Sequence, residues 1–281
     1  MGRAMSRPAG FAAIYSQPST KNENRATIIF GNRSASSCVK AQEVMTVTPV
    51  DNSQQTAAKV AGLSYLISFA AVVYVNFGIH DSLIVENKAE TARNILAHEQ
   101  LFRIGIAGDL FYCACVIVLL TALYVILRPV NRGLALLAAF WRLVGVLMWL
   151  AMTLHLFDAL RLLRNEDSMR AFDAERLQAL ASFYLGTRFD YYYAGLLFGA
   201  LASTACGYLW FKSRYIPRWL AAFGVISSAF CVACTLVLYI FPDFDKIVNL
   251  WWFDTPMALF DIALSFWLLI RGLRPPGVAE A

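Results

Sequence analysis

Charge is scarce in this chain. Asp, Glu, Lys and Arg make up 15% of its residues, where a soluble domain carries about 25%, and hydrophobic residues make up 59%. Histidines number three, and none stands in an H-x-x-x-H or H-E-x-x-H pattern, so no motif offers the close, preorganised ligands that zinc requires. No Gly-rich phosphate loop and no G-x-S-x-G nucleophile turn occurs. Five of the six cysteines lie in apolar segments and Cys38 in the N-terminal stretch, so no disulfide framework is expected. Cys231-Val-Ala-Cys234 has a redox-like spacing, but an apolar mid-helix setting disfavours the thiolate, and these residues are expected to serve packing. The net charge of +5 arises from basic residues flanking apolar segments, with no basic run interleaved with aromatics. A nucleic-acid partner is therefore not expected. Nor is a metal or a cofactor.

What the chain has instead is six long apolar segments. A helix needs about 20 apolar residues to cross roughly 30 Å of hydrocarbon. On that length the spans are expected at Val60–Ile79, Ile104–Leu127, Leu134–Phe157, Tyr192–Phe211, Trp219–Phe241 and Pro256–Ile270, the last starting with Thr255 as N-cap and Pro256 at the first helical position. The expected fold class is all-α: a six-helix transmembrane bundle over residues 56–275, with the lipid bilayer as its surroundings. Residues 1–55, rich in Ser, Asn, Thr and Arg, read as a disordered tail, and 276–281 as a short C-terminal one. The tail has no continuous apolar core for a secretory signal, and Met45 just before the first span is an alternative start. Between spans three and four, Ser168 is expected to cap an amphipathic interfacial helix carrying Met169, Phe172, Leu177, Leu180 and Phe183, stopped by Gly186.

The loops set an expected orientation. Arg128-Pro-Val-Asn-Arg132, Lys212 to Arg218 and Arg271 to Arg274 are short, basic and free of acid, whereas the alternate loops are long and hold the carboxylates. The positive-inside rule weights short loops, so both termini are expected in the cytoplasm. Tyr191 to Tyr193 and Trp251 to Phe253 are expected as an outer aromatic belt. No internal repeat and no paired Gly or Pro break marks the spans, which speaks against a secondary transporter.

Several stretches carry a resemblance. They are Lys59-Val-Ala-Gly-Leu-Ser-Tyr-Leu66, Thr91-Ala-Arg-Asn-Ile95, Glu99-Gln-Leu-Phe-Arg103, Ala122-Leu-Tyr124, Phe198-Gly199, Gly207-Tyr-Leu209, Ser213-Arg-Tyr-Ile-Pro217 and Trp267-Leu-Leu-Ile-Arg-Gly272. Together, from about Lys59 to Gly272, they resemble the bacterial membrane family catalogued as domain of unknown function 4386. The resemblance implies a multi-pass protein of a bacterial inner membrane. It brings no assigned activity and no catalytic residues.

Ionisable groups inside spans are costly in lipid and are the best functional pointers. Three stand out: Asp109, Arg142 and Asp261. Counted along the helices, Asp109 and Asp261 lie roughly 8–10 Å below the outer edge and Arg142 roughly 12–14 Å from the inner one. An Asp–Arg–Asp cluster is thus within reach of the arginine side chain. Nearer the outer end come His155 with Asp158, and Glu99 four residues before Arg103 on one helical face. These residues suggest a polar pocket open to the outside that binds a small molecule, ion or lipid headgroup, without enzymatic activity. The alternatives are a membrane-embedded lipid hydrolase or transferase using His155 and Glu99, with or without a metal, and a structural subunit without ligand.

Overall fold

The computed structural model describes residues 51–85, 87–164, 173–241, 244–249 and 251–274. Residues 1–50 of the expected 1–55 tail and the expected 276–281 tail, with Cys38, Ser168, Met169 and Phe172, lie outside the described residues, and residues 52–55 belong to the first helix. Every regular element among the described residues is helical. Six helices are long and apolar enough to cross a membrane.

The first, α1 (Asn52–Val73), runs on through a π-helical segment, Tyr74–His80, and a last turn, Asp81–Leu83. A short helix α2 (Lys88–Ala97) follows, its Asn87 Oδ1 accepting from the Ala89 and Glu90 amides and so satisfying two of the free donors at a helix start. A break at His98 separates it from α3 (Glu99–Leu127). Asn131 caps α4 (Arg132–Leu163), and α5 (Ala174–Gly186) leads almost directly into α6 (Arg188–Ser213). Then come α7 (Arg218–Ile240), the single turn α8 (Phe244–Ile247) and α9 (Trp251–Ile270).

The six long helices form a closed ring in chain order. Helix α1 packs on α3, α3 on α4, α4 on α6, α6 on α7, α7 on α9, and α9 closes back onto α1. Glycines bring some of these helices very close, since without a Cβ two backbones can touch. Gly145 of α4 lies against Gly195 and Gly199 of α6, where a Cβ on Gly145 would stand 3.1 Å from the Gly195 carbonyl oxygen. Gly62 of α1 faces the Ser265 carbonyl of α9 in the same way, at 2.8 Å.

Large apolar side chains such as Leu63, Phe111, Phe140, Ile226 and Ile270 point outward, as suits lipid and not water. Buried hydroxyls settle their polarity locally: Thr153, Ser228 and Thr235 each donate to the carbonyl four residues back.

The basic ends of the helices are knitted together. Gln54 donates to the Ile126 carbonyl at the end of α3, and Gln55 bonds both the amide and the carbonyl of Leu273. The Arg274 amide reaches the Tyr215 carbonyl between α6 and α7. Gly272 closes α9 with φ +65°, a left-handed turn that glycine adopts without penalty. At the acidic end, α2 and α5 pack beside the protruding ends of α3 and α4 around Ile95, Phe102, Leu156, Leu160 and Leu177.

Some sequence expectations change. Helix α9 begins at Trp251, not at Thr255, so Pro256 lies inside it and removes the donor that the Trp252 carbonyl would have used. The amphipathic helix buries Leu177, Ala181 and Leu185, one face at four-residue steps, while Leu180 and Phe183 are exposed. It packs against α4. In the expected aromatic belt, Trp252 is 76% exposed but Phe253 is 0% exposed, packed with Leu196, Cys231 and Met257. The helical phase explains the difference: adjacent residues point about 100° apart, so three consecutive aromatics cannot share one face.

Candidate functional site

Two polar constellations sit within the ring. The first joins α1, α3 and α4. His80, at the end of the π-helical segment, lies with Nε2 2.9 Å from Asp109 Oδ2, and the Trp149 indole N–H donates to Asp109 Oδ1 at 3.1 Å. Asp109 is 0% and His80 1% exposed, so this carboxylate is shielded from solvent and matched on both oxygens. The segment that delivers His80 is wider than an α-helix: the Asp81 amide bonds the Asn76 carbonyl, five residues back. Phe102 meets the imidazole edge-on, and Gly105 leaves room for it, since a Cβ there would stand 3.1 Å from its Cε1.

The second is a cavity of about 210 Å³ between α1, α3, α4, α6 and α9. It reaches from Asp254, in the first turn of α9, to Ser265, about a turn and a half before the end of that helix, and to Arg142 of α4. Tyr65, Tyr112, Trp149 and Tyr192 give it an aromatic wall, in which Tyr112 and Tyr192 flank Trp149 with ring centres 4.6 and 5.9 Å away. Arg142 donates one hydrogen bond to the Ser203 hydroxyl at 2.8 Å and lies 5.8 Å from the centre of the Tyr65 ring. Among the described residues no carboxylate approaches its guanidinium within ion-pair distance. Asp261 faces the same cavity, and its Oδ1 is buried without a partner. Asp254 is engaged, accepting from the Tyr192 hydroxyl at 2.8 Å.

The sequence-selected residues thus separate into groups. Arg142 and Asp261 share the cavity, whereas Asp109 turns to His80 and Trp149. The physical reason is supply: a histidine and an indole donor already meet one Asp109 oxygen each, so this buried carboxylate is matched without the guanidinium. Asp109 does not line the cavity but holds Trp149, which does. Glu99 pairs with Arg103 at 2.7 Å and with Arg164 at 3.5 Å, all partly exposed at the acidic end. His155 lies elsewhere, 3.2 Å from the Tyr191 hydroxyl and between the Tyr184 and Tyr191 rings. Glu99 and His155 are therefore partnered separately, and neither lines the cavity. Among the described residues, no three His, Cys, Asp or Glu side chains converge as metal ligands would.

Sequence reading missed His80, Tyr65, Tyr192, Ser203 and Asp254. Tyr and Ser are ordinary residues in membrane helices, and His80 stood at a span end, where a polar residue is unremarkable. The signal that existed was the three- and four-residue spacing of Tyr65, Ser68, Phe69 and Val72 on one face of the first span.

A family model described as a domain of unknown function (DUF4386) matches residues 60–272. The chain belongs to that family. The matched region contains all of α2 to α9, both constellations and α1 from residue 60 onward. Neither a curated protein nor a solved structure matches the chain.

Proposed function

We propose that this membrane protein binds a small polar ligand in the central cavity, with Arg142 as its charge anchor. One observation carries the reading: a guanidinium stands in the middle of an apolar ring, beside an open cavity, with a single hydroxyl as hydrogen-bond partner. Guanidinium has five N–H donors, and leaving a charged group unmatched at membrane depth is costly. A ligand, with water in its absence, supplies the missing acceptors. Asp261 is its counterpart, and Asp109 is a positioning residue that holds the Trp149 ring against the cavity. The basic ends of the helices, with both termini, face the cytoplasm of a bacterial inner membrane, and the cavity opens outward past Asp254. Short basic loops against long acidic ones support this orientation.

Native mass spectrometry of the protein released from lipid nanodiscs tests the reading. A discrete bound species in the wild type that is missing from Arg142→Leu is the expected result. Bare, identical spectra for the two proteins would overturn it.

A further inference from the structure

We infer that the ligand is a small zwitterion, its ammonium group held at Asp261 against the aromatic wall and its carboxylate or phosphate held by Arg142. The inference rests on the reading of the cavity as a ligand site and narrows it to one chemistry.

The charges decide between the alternatives. Arg142 and Asp261 face one cavity without bridging to each other, each with hydrogen-bonding capacity left over. A plain anion would satisfy Arg142 but meet two carboxylates, Asp254 and Asp261, in a site walled by apolar helices. A plain cation would satisfy Asp261 and leave the guanidinium unmatched. A molecule carrying both charges matches both groups, and like-charge approach in a low-dielectric site is costly enough to exclude the other two.

The wall points the same way. An alkylammonium is attracted to the electron-rich faces of Tyr and Trp, and recognition of such cations typically uses several rings together. Tyr112, Trp149 and Tyr192 form a continuous aromatic surface beside the two carboxylates. Trp149 is itself held in place by the Asp109 carboxylate. Size sets the last limit. About 210 Å³ is less than the roughly 300–1,000 Å³ of sites that take drug-sized ligands. That suits an amino acid or betaine, or the headgroup of a zwitterionic lipid.

The full chain in nanodiscs of phosphatidylglycerol, a lipid with no ammonium group, is titrated with glycine betaine, choline and acetate. Tryptophan fluorescence and thermal stability report binding. Betaine is expected to bind at least tenfold more tightly than choline or acetate. Arg142→Gln and Asp261→Asn are each expected to weaken it at least tenfold. If Arg142→Gln does not fold, Ser203→Ala, which frees the guanidinium from its tether, replaces it with an expected loss of a few-fold. A second arm uses nanodiscs containing phosphatidylethanolamine: lipid retained in native spectra of the wild type and lost in Asp261→Asn assigns the zwitterion to a lipid headgroup. Betaine binding without retained lipid assigns it to a free solute. Choline binding as well as betaine, or a retained species that is purely anionic or apolar, overturns the zwitterion while leaving the cavity as a ligand site. No retained species and no response to any probe overturns both.

Discussion

Asp109 and Arg142 are both charged residues inside the ring, yet they do different work. Asp109 accepts from Trp149 and meets His80, so its removal strands a buried imidazole and an indole N–H at once. Breaking a buried pair by deleting one partner typically costs about 3–5 kcal/mol. Asp109→Ala is therefore expected to lower stability by that order, measured by denaturant titration in detergent. Trp149→Phe, which deletes one donor to a charged acceptor, is expected to cost about 1.5–3 kcal/mol. Equal stability of Asp109→Ala and wild type would show that the constellation contributes nothing to folding. At this scale the sequence was only half legible. Arg142 and Asp261 declared themselves because charge in an apolar run has few explanations. His80 did not, because its partner lies 29 positions away and its approach depends on a widened turn that no residue type announces.

The π-helical segment Tyr74–His80 is the element that most alters a reading from periodicity. One extra residue per turn rotates everything beyond it by about 100° relative to an uninterrupted α-helix. His80 points at Asp109 because of that rotation. Deleting Gly78, which leaves the flanking apolar residues in place, is expected to restore α-helical spacing and turn the imidazole away. Loss of stability close to that of His80→Ala is the expected outcome. Close helix approach is the other element-scale feature. A Cβ on Gly62 would stand 2.8 Å from the Ser265 carbonyl oxygen, a backbone atom that cannot swing aside. Gly62→Ala is expected to push α1 from α9 and cost about 1–3 kcal/mol, the usual range for overpacking. An unchanged melting temperature would refute the close contact. Helix α1 starts eight residues before the expected Val60 and α4 runs on to Leu163, whereas the end of α9 at Ile270 followed from sequence chemistry. The start of α9 did not, because Thr255-Pro256 imitates an N-terminus that Trp251 pre-empts.

At the scale of the whole molecule, the six spans and their count were readable from hydropathy because lipid forces backbone groups to bond within helices. Their order around the ring was not, since apolar faces alone do not name a neighbour. The orientation is open to a direct test. In a background without native cysteines, Lys88→Cys is expected to react with a membrane-impermeant maleimide on intact cells, and Asn131→Cys only after permeabilisation. The reverse pattern would invert the protein. The ring also closes between its first and last helices, with Gln55 bonded to Leu273 where α1 begins and α9 ends. That makes the architecture cyclic in space although the chain is linear. A circular permutant that joins residue 274 to residue 51 by a short linker, with new termini cut between α3 and α4 near Asn131, would keep every helix neighbour. Where the polypeptide begins is then a matter of gene order rather than of the fold.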